Sequence, residues 1–390
     1  MWIHRWFFST QVRRAVELRQ QVRKFLAAQR DLLAPDAVAA VEKGINDFNQ
    51  VLKGGGSSGE IMKAAGQLEE IANQQLKPYP SAAIRENVEM ILVVGAIVMA
   101  FRCFFFQPMA IPSGSAQPTL WGIVPENLRG RSDVQMPTGL RNLYLSWVKG
   151  DKYYHVQTRT GGELHMIDDE PKTVIPFVKK QRFRVGAEVH TVWFPPERLF
   201  NWALLNEGQV FRPGEDVIRL HVTAGDHLFV NRVTYNFRQP RRGEIIVFES
   251  PGYPGMIPDT HYIKRLVALG GERVRIGDDR HMIVNGVRLD ASTPHFENVY
   301  TFKGPPVKDK FSGHVNGVIA AKNGLPGLAP NFPDENTEYT VRPNHYLTFG
   351  DNTMNSADSR LWGDFPRELV IGKYGFVFWP ITDRFGWGAR

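Results

Sequence analysis

The chain of 390 residues holds a single cysteine, Cys103, so it can form no internal disulfide and its redox setting stays open. Zinc-type cysteine spacing is absent. The eleven histidines are scattered, with no HExxH and no i, i+4 pair, which argues against a bound metal. The glycine run Gly54-Gly-Gly-Ser-Ser-Gly59 lacks the Gly-Lys-Ser/Thr of a phosphate loop, so no nucleotide site is expected there. Long runs of one charge are also missing. The 47 basic residues are interspersed with 40 acidic ones and leave a net charge of +7, a balance that makes only a weak case for nucleic acid and at least as good a one for an anionic bilayer. Finally, the opening Met1-Trp-Ile-His-Arg has no apolar h-region, so no cleavable leader is expected.

What is present divides the chain. Residues 1–86 read as helical and cytoplasmic. Val38, Val41, Ile45, Phe48 and Leu52 follow steps of three and four, as do Ala15, Leu18, Val22 and Phe25, and Ile61, Ala64, Leu68 and Ile71. Such stripes predict a small helical hairpin or bundle, with a partner-binding coiled coil as the alternative. Ser57 and Glu60 have capping-box spacing for the last of its helices, after a flexible glycine link. Residues 90–101 are uncharged but too short to cross a bilayer. The wider window 88–106 is long enough, with Glu89 and Arg102 near its ends where charge can reach the interface. One transmembrane helix at about residues 87–107 is the leading reading, with a buried core helix or an interfacial anchor as the alternatives, and Lys77 and Arg85 before it weakly favour an N-terminus-inside orientation. With 36 Gly, 26 Pro and 12% aromatics, the rest reads as short strands and turns, a mainly β domain over residues 108–390. Within it, Met282 to Leu289 reads as a hairpin turning at Asn285-Gly286.

Three segments of that β region could carry chemistry. Ile111-Pro-Ser-Gly-Ser-Ala-Gln-Pro-Thr-Leu120 sets two serines on a turn stiffened by Pro112 and Pro118, directly after the apolar run. A serine hydroxyl needs a neighbouring base to become a nucleophile. His227, His261 and His345 lie in the strand region and leave a Ser-His-Asp arrangement open. Lys264 is the second possibility. On an extended chain it shares a face with Tyr262, Leu266 and Ala268, and burial against such neighbours disfavours the charged ammonium. The third segment, Gly350-Asp-Asn-Thr-Met-Asn-Ser-Ala-Asp-Ser-Arg-Leu-Trp-Gly363, offers the hydroxyl of Ser356 and the opposite charges of Asp358 and Arg360. Residues 121–224 show no chemistry and read as structural cover or partner contact.

Taken in order, these segments resemble the bacterial type I signal peptidases, membrane-bound Ser-Lys proteases. Gly225-Asp-His-Leu-Phe-Val-Asn-Arg232, Arg242-Gly-Glu-Ile-Ile-Val-Phe248 and Tyr262-Ile-Lys-Arg265 complete the set of five blocks, which covers roughly a quarter of the chain. The resemblance implies an antiparallel β catalytic domain in which Ser115 is the nucleophile and Lys264 its general base. Ser113 would join the Ser115 N–H in the oxyanion hole, Ser356 would orient the lysine, and Asp358 and Arg360 would support them. Ile111, Pro112, Ala116, Tyr262 and Ile263 would line small pockets for the −1 and −3 side chains of the substrate. It further implies secretory precursors as substrates, a lipid bilayer as support, no cofactor, and a single-pass protein of the bacterial inner membrane with an extracytoplasmic catalytic domain. Activity is expected to fall between neutral and mildly acidic pH as the lysine gains a proton.

The sequence also departs from the family's pattern. Ala116 stands where methionine is usual, Leu269-Gly-Gly-Glu272 replaces Leu-Pro-Gly-Asp, and Thr353-Met354 replaces Arg-Asp. Compact members lack the stretch at 121–224, and the N-terminal helices lie outside the shared core. A related Ser-Lys peptidase with a specialised maturation or self-cleaving role remains an alternative, as does an inactive membrane-tethered scaffold. The oligomeric state is left open.

Overall fold

The computed structural model describes residues 10–77, 82–131, 133–301 and 312–388, so the opening pentapeptide lies outside the described residues. The chain divides at Gly95 into two compact units.

In the first unit, α1 (Thr10–Gln29), α2 (Pro35–Lys53) and α3 (Ser58–Gln75) surround a core that includes Val12, Val16, Leu26, Val41, Phe48, Ile61 and Leu68. Pro35 opens α2, where its missing N–H leaves no helical bond unmade. The capping box is present: Ser57 Oγ accepts from the Glu60 N–H at 3.3 Å, and the Ser57 N–H donates to Glu60 Oε2 at 2.6 Å. One stripe differs from expectation. Phe25 is 46% exposed while Leu26 is buried, because the buried face of α1 runs through positions 12, 15, 16, 22 and 26.

The fourth helix, α4 (Ala82–Phe104), contains a stretch of 21 residues, Ile84–Phe104, with mean hydropathy 1.8 and no buried share. It is long and apolar enough to cross a membrane. It begins and ends earlier than the sequence suggests, because Phe106 already opens a strand paired with Asn231. Phe104 and Phe105 are exposed, whereas Phe106 belongs to the sheet.

The second unit is built on an eight-stranded sheet whose pairs are all antiparallel. Its order is Phe106–Ala110, His227–Asn231, Val370–Trp379, Ile245–Ser250, Thr260–Leu269, His345–Phe349 and Phe365–Pro366, with Gly386–Trp387 added beside Val370–Trp379. A four-stranded sheet carries the predicted hairpin, and Asn285 and Gly286 both take the positive φ that a primed turn needs. Val274, Ile276, Phe296, Phe332 and Phe349 fill a core on that side.

The stretch at 121–224 folds on its own core. A three-stranded sheet (Val124–Asn127, Asp216–Thr223, Asp151–Gln157) and a five-stranded one around Val178–Val185 bury Leu164, Phe183, Phe200, Phe211 and Leu220. It leaves the main chain of the domain after Leu120 and returns at Gly225, so it interrupts the sheet's sequence without interrupting the sheet.

Candidate active site

The segment carrying the two serines leaves the edge strand Phe106–Ala110 and is fastened at once. The Ile111 N–H donates to the Asp226 carbonyl at 2.9 Å, and the Asp226 carboxylate accepts from the Trp121 N–H at 2.8 Å while pairing with Arg384 at 2.9 Å. Position 225 has to be glycine, since a Cβ there would collide with the Ile111 carbonyl oxygen. The Gly225-Asp226 block thus holds down both ends of the serine turn.

Ser115 lies in a single 3-10 turn, Gly114–Ala116, and is 5% exposed. A second clamp comes from the loop after His345–Phe349. Asn352 donates its backbone N–H to the Ser115 carbonyl and its side-chain amide to the Gly114 carbonyl, each at 3.0 Å. Gly350 permits that approach. A side chain at that position would strike both the Ser115 carbonyl and Ser356 Oγ.

Lys264 arrives from the strand Thr260–Leu269, in register with Ile246. Its Nζ donates to Ser115 Oγ at 2.7 Å, and Ser113 Oγ lies 3.3 Å from the same oxygen. Lys264 is only 4% exposed. Burial is the largest influence on its amine and favours the neutral form. The Asp358 carboxylate pulls the other way, Arg360 adds to the lowering, and Asp351 opposes it; together they bring the pKa from 10.5 down to about 8. Roughly a tenth of the amine is then neutral at pH 7. Tyr262 and Leu266 pack with Ile246, Phe248 and Phe365 as a face beside the lysine, but Ala268 does not. A register shift between Leu266 and Ala268 turns it, with Val267, into the separate core of the four-stranded sheet.

Two sealed ion pairs brace this arrangement. Asp358 and Arg360, both fully buried, meet at 2.9 Å, and Asp358 also accepts from the Gly350 N–H at 2.9 Å. Arg360 reaches Thr353 Oγ1 and the Thr353 carbonyl at 2.8 Å each, so the threonine that departs from the family's pattern is a partner of the arginine. The second pair, Arg265 with Asp351 at 2.6 Å, shares a hydrogen-bond network with Thr119. Sequence reasoning assigned no role to Arg265, Asp351, Asn352 or Thr119. All four stand inside the quoted blocks, and that was the available signal.

Of the expected pocket residues, Ile111, Ala116 and Ile263 share one apolar cluster with Leu120 and Val247. Tyr262 belongs to the neighbouring one, its hydroxyl accepting from the Ile257 N–H at 2.9 Å, and Pro112 is exposed. Ser356, expected to orient the lysine, has its Oγ buried and makes no hydrogen bond to the lysine amine in this structure. The histidine alternative is not supported by position. His227 packs edge-on against Trp379, His261 lies exposed near Glu249, and His345 faces the Pro343 carbonyl at 2.9 Å. Among the described residues no group of three or more His, Cys, Asp or Glu side chains could hold a metal ion.

Two strand edges open beside the serine. The strand Phe106–Ala110 is at the rim of the sheet, and Thr260–Leu269 gains its second neighbour only from Arg265 onward. An extended peptide could pair there through its backbone.

The profile of the family described as signal peptidase, peptidase S26, matches residues 218–379, a span that includes Lys264 and the 350–363 loop but not Ser115. A signal peptidase I from Aquifex aeolicus is 30% identical over 182 residues, 40% of this chain and 69% of its own. A protein named probable signal peptidase I-2 from Synechocystis is 31% identical over 158 residues, 40% of this chain and 56% of its own. The chain thus spans between about half and two thirds of the length of these curated relatives. Among solved structures, a signal peptidase I from Enterococcus faecalis aligns at 24% identity over 35% of this chain and 97% of its own, with a TM-score of 0.25.

Proposed function

Because the chain belongs to the signal peptidase family, peptidase S26, we propose that it is a membrane-anchored serine endopeptidase that removes signal peptides from exported precursors. The observation that carries the proposal is a buried lysine amine 2.7 Å from a buried serine hydroxyl. Neutral Lys264 takes the Ser115 proton as Oγ attacks the scissile carbonyl. The Ser113 hydroxyl and the Ser115 N–H steady the oxyanion. The Lys264 ammonium then returns its proton to the leaving amine, and the ester to Ser115 remains. A water, deprotonated by the same lysine, attacks that ester and frees the serine.

Ser356 fits a part played during turnover. An ammonium has an additional N–H to place, and the unpartnered Ser356 oxygen, beside Gly350 with the Ser115 carbonyl, is a buried acceptor for it. The apolar cluster of Ile111, Ala116 and Ile263 favours small side chains at −1 and −3. The helix Ile84–Phe104 serves as a membrane anchor, with the helical bundle in the cytoplasm and the β domain outside it. No cofactor is required by these steps.

The proposal is tested with Ser115→Ala and Lys264→Ala variants on a precursor peptide carrying Ala-x-Ala. Each is expected to lose on the order of 10⁴-fold or more in kcat while keeping its melting temperature within a few degrees. Turnover near wild type in either variant would sink it. A panel of unrelated secretory precursors, all cleaved, separates a general signal peptidase from a peptidase dedicated to one substrate.

A further inference from the structure

A cleft of about 780 Å³ opens beside the serine turn. One wall is Ile111, Pro112 and Ser113, immediately before the proposed nucleophile. The facing wall comes from the 121–224 insertion and presents Tyr154, Phe194, Pro195 and Trp202. Ligand-sized clefts fall at about 300–1,000 Å³ and combine an apolar lining with a few polar groups. Here Lys152, Glu197 and Arg198 are the charged groups among the lining residues.

The insertion side of the cleft is held in an unusual backbone state. Phe194 has φ +51°, a left-handed conformation that a bulky residue adopts only when its surroundings impose it. They do so from both sides: its N–H donates to the Lys179 carbonyl and its carbonyl accepts from the Tyr154 hydroxyl, each at 2.8 Å. The result is a phenylalanine 54% exposed that lines the cleft and lies outside the insertion's own core. Glycine would adopt this backbone without strain.

We propose that the insertion is a second substrate-binding wall: the cleft takes an apolar stretch of the substrate polypeptide lying beyond the residues next to the scissile bond. The inference rests on the signal peptidase function proposed above. Its basis is continuity. A peptide whose carbonyl is presented to Ser115 must pass Ile111 to Ser113, and these residues are also a wall of the cleft. Its apolar side chains would cover the ring of Phe194 and the indole of Trp202. Compact relatives of the kind the sequence resembles would have only the near wall.

The test compares two peptides with the same Ala-x-Ala core, one short and one extended on both sides by leucine-containing flanks. Wild type is expected to favour the extended peptide about tenfold or more in kcat/KM, the size of effect an added apolar contact gives. Phe194→Gly, which relaxes the backbone, is expected to bring that ratio close to one, with unchanged melting. Phe177→Gly is the matched control. Phe177 is another aromatic of the insertion at positive φ, 96% exposed and away from the cleft, and its loss should leave the ratio at the wild-type level. A wild-type ratio near one, or a ratio in Phe194→Gly equal to that of Phe177→Gly, would overturn the inference. Failure of wild type to cleave either peptide would instead overturn the peptidase function beneath it.

Discussion

The loop at 350–360 and the insertion at 121–224 each bury a carboxylate against an arginine, and they do so differently. Asp358 and Arg360 are both wholly enclosed, with every polar group of the arginine spent on the pair, Thr353 and nearby carbonyls. Asp168 is equally buried, but Arg182 and Lys172, its partners at 2.8 and 2.7 Å, reach solvent with 37% and 62% of their side chains exposed. Water can take over part of the work at Asp168 and none at Asp358. The first pair acts on Lys264, whose proposed role needs a neutral amine, with the carboxylate favouring the ammonium and the arginine opposing it. The second only fastens a turn.

The largest effect that would break this contrast is expected at Asp358. Replacement by Asn leaves Arg360 buried without a counter-charge and should cost about 3–5 kcal/mol, visible as a lowered denaturant midpoint. In the fraction that still folds, loss of the negative charge removes support for the Lys264 ammonium. The acid limb of the pH–rate profile then moves to lower pH. Next comes Gly350→Ala. Its Cβ would push Ser115 or Ser356 aside, and a displacement on the order of 1 Å at a reacting group costs roughly 100-fold in kcat. The smallest effect is predicted for Asp168→Asn, about 1 kcal/mol in stability because its partners stay solvated, with kcat on a short peptide within about twofold of wild type. Equal losses at Asp168 and Asp358 would erase the distinction between the two regions.

The same distinction explains what the sequence disclosed. Around the proposed dyad, close packing leaves room for very few residue types at each position. Ser115, Lys264, Gly350 and the Asp358–Arg360 pair were therefore visible as short blocks, although they lie up to 245 positions apart. Their supporting contacts were not visible. That Asn352 clamps the serine turn, or that Arg265 pairs with Asp351, depends on how segments distant in the chain meet, and periodicity carries no information about that. The bulge after Leu266 likewise breaks the simple alternation that placed Ala268 beside the lysine. In the N-terminal bundle the stripes were legible to within one residue, Phe25 against Leu26, because helical burial needs only apolar character. The insertion was the least legible. The role we propose for it, a wall that includes Phe194 and Trp202, has no motif to betray it.

The pH dependence of kcat/KM on a peptide free of titrating groups tests the central claim most directly, since it reports the ionisation of the free enzyme. With Lys264 at about 8, kcat/KM should level off above that pH and fall below it. The fall should approach tenfold per unit and already be under way at neutrality, earlier than the sequence alone suggested. A profile flat from pH 6 to 9, or a limb centred near 6.5 as a histidine base would give, would contradict a Ser115–Lys264 dyad.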